Sequence, residues 1–116
     1  MKVIWTQESI LQLIEIEDFI SNDSPKRAAD FVDDIIDHAE ATLPDTPSIG
    51  RMVPEINNVN IRELIFKKYR IVYRVNKNNM EILTVFEGHR LLRVDEIKND
   101  LHNSSVKSSR DKAHKA

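Results

Sequence analysis

The stretch IRELIFKKYRIVYRV, residues 61–75, decides the fold. β-Branched and aromatic residues dominate it, and it breaks at Lys67-Lys68, which predicts two strands joined by a tight turn. In its second half Tyr69, Ile71, Tyr73 and Val75 alternate with Arg70, Val72 and Arg74. A period of two puts the first set on one face of a sheet and the second set on the other. The apolar set predicts contact with a helical layer, which aims Arg70 and Arg74 at the opposite, open face. Together with Lys77 just beyond it, the stretch carries the basic residues Arg62, Lys67, Lys68, Arg70 and Arg74 in a chain of net charge −2. That concentration predicts a platform for a polyanionic or acidic partner.

Working towards the N-terminus, residues 2–5 (KVIW) predict a short strand. Thr6 supplies a helix N-cap with Glu8 in the favourable first turn. The apolar residues Ile10, Leu13, Ile14 and Ile20, widened by Ile16 and Phe19, predict a helix to about residue 21 with that stripe facing the core. SNDSP breaks it, Ser24 caps a second helix and Pro25 occupies its first position. Ala28, Phe31, Val32, Ile35, Ile36, Ala39 and Leu43 continue that helix, and its other face is acidic: Asp30, Asp33, Asp34, Asp37 and Glu40. The short connection predicts a helix hairpin. The proline-rich segment 44–55 forms a loop.

Strands are predicted at about 59–66, 69–76 and 80–87, with Asn78-Asn79 suited to positive φ in the second turn. The fold class is α+β: β-α-α-β-β-β, an antiparallel sheet covered on one face by the helix hairpin. A short helix over 94–101 is expected to follow, completing a domain over 1–102, with 103–116 a flexible basic tail.

The chain has 116 residues and no cysteine, which excludes disulfides and thiol chemistry and suits a reducing, cytoplasmic setting. No apolar run approaches a membrane span of about 20 residues, so no membrane partner is expected. With two glycines, phosphate-cradling loops are ruled out, and no metal or cofactor motif appears. Charge is divided between the halves: residues 1–60 hold twelve acidic and four basic residues, residues 61–116 seven acidic and thirteen basic. Such a split suggests a charged partner.

Chemistry, if present, would sit on the open face of the sheet. Arg62, Arg70 and Arg74, with His89 and Arg90 just after the last strand, supply guanidinium forks and a proton-active imidazole. Glu55 ends the loop where it could approach as a base. Glu55, Arg70, His89 and Arg90 would then form a metal-free RNA-cleaving set: base, phosphorane-binding arginines and general acid. The alternative open to the same arginines is ion pairing across strands with Glu63, Glu81 or Glu87.

Residues 49–92 carry Gly50-Arg51 with Pro54-Glu55, then Arg62-Glu63-Leu64, then YRIVYRV, then ILTVFEGHR. In this order, and with IWT and two helices before them, these elements resemble the RelE/ParE superfamily of bacterial toxins over about residues 1–95. The resemblance implies the toxin half of a type II toxin–antitoxin pair, neutralised by a cognate antitoxin that also makes any operator-DNA contacts. It implies one of two targets: DNA gyrase for ParE-like members, or mRNA on the ribosome for RelE-like nucleases. Arg70 and Arg90 fall where RelE-like toxins keep catalytic arginines, with Glu55 and His89 near the glutamate and histidine of some relatives. Ile61 and Glu63 stand where a lysine pair is expected, and no tyrosine follows Tyr73. The sequence is therefore closer to ParE-like members. Arg62, Arg70, Arg74, Arg90 and Arg93 are the expected target- or antitoxin-binding residues, and growth arrest in plasmid or prophage maintenance the expected role.

Overall fold

The computed structural model describes residues 1–88. Strand β1 (Lys2–Trp5) leads into α1 (Gln7–Ser21) and α2 (Pro25–Thr42), followed by β2 (Arg51–Met52), β3 (Ile61–Phe66), β4 (Tyr69–Val75) and β5 (Asn79–Glu87). The strands form one sheet in the order β1-β5-β4-β3-β2. The predicted α+β class, helix hairpin and β3–β5 meander are all present. Two features differ from expectation. The sheet is mixed, because β1 pairs in parallel with β5, Val3 opposite Met80. The loop also contributes a strand, β2, antiparallel to β3 with Arg51 opposite Glu63. The expected helix over 94–101 and the tail over 103–116 lie outside the described residues.

Local chemistry sets the helix starts. Thr6 is extended and its side chain accepts from the Ser9 amide, while its hydroxyl donates to the Ile82 carbonyl at 2.7 Å. One residue thus caps α1 and ties it to β5. Ser24 accepts from the Arg27 amide, and Pro25 follows at the first helical position. The β3–β4 connection is Lys67-Lys68 as predicted, with Lys67 at a positive φ of 55°. The β4–β5 turn closes through the Asn76 amide and the Asn79 carbonyl, 2.8 Å, and neither Asn78 nor Asn79 takes positive φ, contrary to expectation.

The main core lies between the helices and the sheet. Leu13, Val32, Ile35, Ala39 and Leu43 pack on Tyr69, Ile71, Tyr73, Met80 and Ile82. Phe31 meets Tyr69 at a ring-centre distance of 5.4 Å. The stripe of α1 is rotated relative to expectation: Ile14 and Phe19 face solvent, and Ser9 and Gln12 are buried instead.

The buried polar residues have a purpose in the sheet. The β4–β5 ladder slips between Val72 and Tyr73, a β-bulge. Gln12 projects from α1 onto β5 beyond Ile82, the last residue of β5 that β1 pairs. Its Oε1 accepts from the Val85 amide (2.6 Å) and the Thr84 hydroxyl (2.5 Å), and its Nε2 donates to Glu8 at 3.0 Å.

The second face of the sheet is not open. Val53, Ile61, Val72, Leu83 and Phe86 form a second core, with Ile56 packed against it. Segment 51–57 lies over it. Asn57 has φ 57°, a conformation asparagine tolerates, and Val53 accepts from both the Ile56 and Asn57 amides. On the helix side, the same loop is held by Tyr73, whose hydroxyl donates to the Pro47 carbonyl (2.7 Å) and accepts from the Gly50 amide (3.0 Å). A Cβ on Gly50 would lie 2.5 Å from the Glu63 carbonyl oxygen and 2.6 Å from the Tyr73 hydroxyl oxygen. Glycine is required there for close approach.

Two stability predictions follow from these contacts. Gln12→Ala leaves the Val85 amide and Thr84 hydroxyl buried without an acceptor and is expected to cost about 1–3 kcal/mol in urea unfolding. Burial raises the pKa of Tyr69 and Tyr73 above the ordinary 10.0; Glu87 adds to the rise at Tyr69, and the Gly50 amide and Arg62 partly oppose it at Tyr73. The native state therefore holds these protons more tightly than the unfolded chain does. Their contribution to stability is full below pH ~10 and is lost as pH rises towards the native values. Tyr73→Phe should lower stability at pH 7 by about 1 kcal/mol and flatten the alkaline decline, measured as unfolding midpoint against pH.

Candidate functional site

The candidate site lies on the second face, where β3, β4 and segment 51–57 converge on Glu63. This residue follows Ile61 by two on β3, so its side chain points to the same buried face as Ile61. Its carboxylate has no exposed surface. Arg70 Nε donates to Glu63 Oε1 at 2.6 Å, and Arg51 Nε donates to Oε2 at 2.5 Å. Arg70 then uses its two terminal nitrogens on Glu55, Nη1 to Oε2 at 3.1 Å and Nη2 to Oε1 at 2.9 Å. Its guanidinium carbon also lies 4.9 Å from the centre of the Phe86 ring. Arg70 is only 6% exposed. Burial on its own disfavours its charge and is the largest single influence, but the bonds and charges of Glu55 and Glu63 together outweigh it and raise its pKa.

Arg74 occupies the same face four residues along β4, directly opposite Glu81. It is held there by ion pairing, with Asn76 donating to the same carboxylate oxygen at 3.0 Å. Arg62 is on the other face: it pairs with Tyr73 across β3–β4, and its Nη1 donates to the Gly50 carbonyl at 2.9 Å. Lys68 at the turn approaches Glu87 at 3.7 Å.

The expected basic platform is therefore corrected. Arg70 and Arg74 lie on the face predicted for them, but their guanidiniums are covered and paired with acidic residues. Arg62 does not share that face. Glu55 does approach Arg70, as a bidentate ion-pair partner. His89, Arg90 and Arg93 lie outside the described residues. Sequence reasoning missed the centrality of Glu63 and the part of Arg51. The signal was present: a glutamate two residues from Ile61, on the same strand face, needs a guanidinium partner once that face is covered. Among the described residues, no group of three histidine, aspartate or glutamate side chains is placed to hold a metal ion. No described helix is long and apolar enough to cross a membrane.

A buried charge left alone is far costlier than a buried pair is stabilising. Glu63→Ala is expected to cost about 3–5 kcal/mol, because it leaves the buried Arg70 Nε–H without its acceptor and its charge countered by Glu55 alone. The double variant Glu63→Leu with Arg70→Met removes both charges and should recover most of that loss. Urea unfolding of the two variants and the parent checks this; equal losses in the single and double variants would refute it.

The fold has solved counterparts. The chromosomal ParDE toxin–antitoxin system from P. aeruginosa contains a chain that superposes with a TM-score of 0.63 at 22% identity, covering 75% of this chain and 95% of that one. At that identity the likeness concerns the fold. No curated protein matches the chain. The family described as the ParE toxin of the type II toxin–antitoxin system parDE matches residues 3–92, from within β1 through both helices to beyond β5. With that match over most of its length, the chain belongs to the ParE toxin family of type II toxin–antitoxin systems.

Proposed function

We propose that this chain is neutralised by a cognate antitoxin and, when free of it, arrests growth by binding and inhibiting DNA gyrase. Its membership of the ParE toxin family supports the toxin reading. The observation that favours binding over RNA cleavage is the Glu55–Arg70 pair. Both oxygens of the one carboxylate proposed as a base accept from one guanidinium, at 2.9 and 3.1 Å. Protonating that carboxylate during catalysis would break a charge-assisted, bidentate contact. Arg70 is in turn committed to Glu63. On this reading Arg70 and Arg74 act from within, by holding segment 51–57 and the β4–β5 turn in shape. Arg62, Arg90 and Arg93 are the arginines we assign to binding a target or antitoxin. Contact with operator DNA belongs to the antitoxin, and no cofactor takes part.

Two assays on purified protein test the reading. In a gyrase reaction with plasmid DNA, supercoiling should fall and gyrase-linked cleaved DNA accumulate. In a reconstituted translation reaction, mRNA should remain intact. Cleavage of mRNA in the ribosomal A site, lost in Arg70→Ala, together with unimpaired supercoiling, would replace gyrase inhibition by ribosome-dependent endoribonuclease activity.

A further inference from the structure

Between α1 and the end of β5 lies a groove of about 170 Å³. Glu15, Ile16 and Phe19 of α1 line one side of it, Val85 and Glu87 of β5 the other. Tyr69 of β4, directly opposite Glu87 in the ladder, also lines it. The two ends of Tyr69 differ. Its ring meets Phe31 at 5.4 Å, and the residue is only 5% exposed. Its hydroxyl forms no hydrogen bond among the described residues. The other tyrosine, Tyr73, has its hydroxyl engaged by both Pro47 and Gly50. Burial first, and then the Glu87 carboxylate, raise the pKa of the Tyr69 phenol. The hydroxyl end therefore lies towards the Glu87 side of the groove. A buried hydroxyl without a partner is costly, and folded proteins rarely leave one so.

Charge and shape decide what would meet it. Both sides of the groove carry a carboxylate, and no described residue lining it is basic. Glu15 is exposed and forms no ion pair among the described residues. Lys68 stays 3.7 Å from Glu87, beyond hydrogen-bond length. An anion would be repelled from both sides. A neutral apolar molecule would cover the Tyr69 hydroxyl without bonding to it. No group of three described histidine, aspartate or glutamate residues is placed for a metal ion. A cation with several N–H donors on an apolar body satisfies every requirement. Ile16 and Val85 accept the body, and the Phe19 ring, 74% exposed, is open to the charge. The groove is smaller than the roughly 300–1,000 Å³ of pockets for drug-sized ligands, so its occupant is compact. We propose that this groove binds a small organic cation, a planar amidinium or guanidinium on an apolar body. Its N–H groups are shared among the Tyr69 hydroxyl oxygen, Glu15 and Glu87, and its body rests on Ile16, Phe19 and Val85. The site stands whether or not the chain inhibits gyrase.

Benzamidine is the probe, and benzamide, uncharged and of nearly the same shape, is the control. Each is titrated into the full-length chain, and backbone amide shifts are followed by NMR. Benzamidine should bind saturably with a Kd of about 1 mM or tighter. It should shift the amides of residues 12–19, 69 and 85–87, and its binding should weaken as salt rises. Benzamide should bind at least about tenfold more weakly. Tyr69→Phe should weaken benzamidine about fivefold or more. The same variant should leave the urea midpoint unchanged or raised, because the fold loses no hydrogen bond. A hydroxyl that served only the fold would move the midpoint and leave the affinity alone. Glu15→Gln should weaken binding about threefold or more, and Glu15→Gln with Glu87→Gln further still. Asp33→Asn with Asp37→Asn on α2 should change it less than about twofold.

Absence of saturable shifts, equal binding of benzamide, shifts confined to other surfaces, or an unaltered affinity in Tyr69→Phe would each overturn the proposal. N-acetylarginine methylamide separates a free small molecule from the side chain of a partner protein. Binding of that probe about tenfold tighter than benzamidine would assign the groove to a partner's arginine and overturn the small-molecule site. Weaker or equal binding supports it.

Discussion

A carboxylate without exposed surface, Glu63, organises the second face of this sheet. Water cannot reach it, so its charge must be met by the protein. Arg70 and Arg51 meet it, and each brings something else along. Arg51 belongs to β2 and draws that strand against β3. Arg70 reaches on to Glu55 and so anchors the segment after β2. With both ends tied, Val53 and Ile56 are pressed onto Ile61, Val72, Leu83 and Phe86. A polar requirement at one residue thus creates an apolar core. The two effects are mutually dependent: the arginine–carboxylate pairs are strong because the core excludes water, and the core exists because the pairs hold its lid down.

The same loop is fixed from the other side by Tyr73. Its hydroxyl binds the backbone at Pro47 and Gly50, while Arg62 binds Gly50 through the carbonyl. The loop therefore wraps the β3 edge of the sheet and is pinned on both faces. This explains a sequence with prolines at 44, 47 and 54, a glycine at 50 and few large apolar residues. Proline limits the unfolded alternatives of such a segment, and glycine allows its one close approach to the sheet.

How much of this was legible depends on range. The alternation in YRIVYRV fixed which residues of β4 face the helices, because a strand's side-chain period is a local property. Thr6, Ser24 and Pro25 marked the helix starts for the same reason. The parallel pairing of β1 with β5 was not legible, since it joins residues nearly eighty positions apart in register, Lys2 with Asn79. The bulge at Val72/Tyr73 was equally hidden, and so was the Val85 amide that a buried glutamine on α1 satisfies. At the site, the sequence offered two readings of Arg70 and Arg74, outward platform or cross-strand ion pairs. Periodicity names a face but not what covers it. Only the path of segment 51–57, set by long-range contacts, turned the open face into an interior.

That distinction changes the meaning of the charge asymmetry. The basic residues of the strands looked like the interactive half of the molecule, and the acidic helices like a merely solvated half. In three dimensions the arginines of β4 are neutralised by Glu55, Glu63 and Glu81, so their charge is largely internal. The carboxylates at Asp33, Asp34 and Asp37, and those at Glu15 and Asp18, are exposed. Unpaired charge acts on a partner at a distance, whereas charge closed into a buried network does not. Long-range attraction by the described part of the molecule thus comes chiefly from its helical layer and selects for positive charge. Where that layer meets the end of β5, attraction is joined to apolar area of Ile16, Phe19 and Val85 that a small cation can remove from water. The helices, which enter the fold as the cover of the sheet, thus also supply one side of the groove in which that charge is felt.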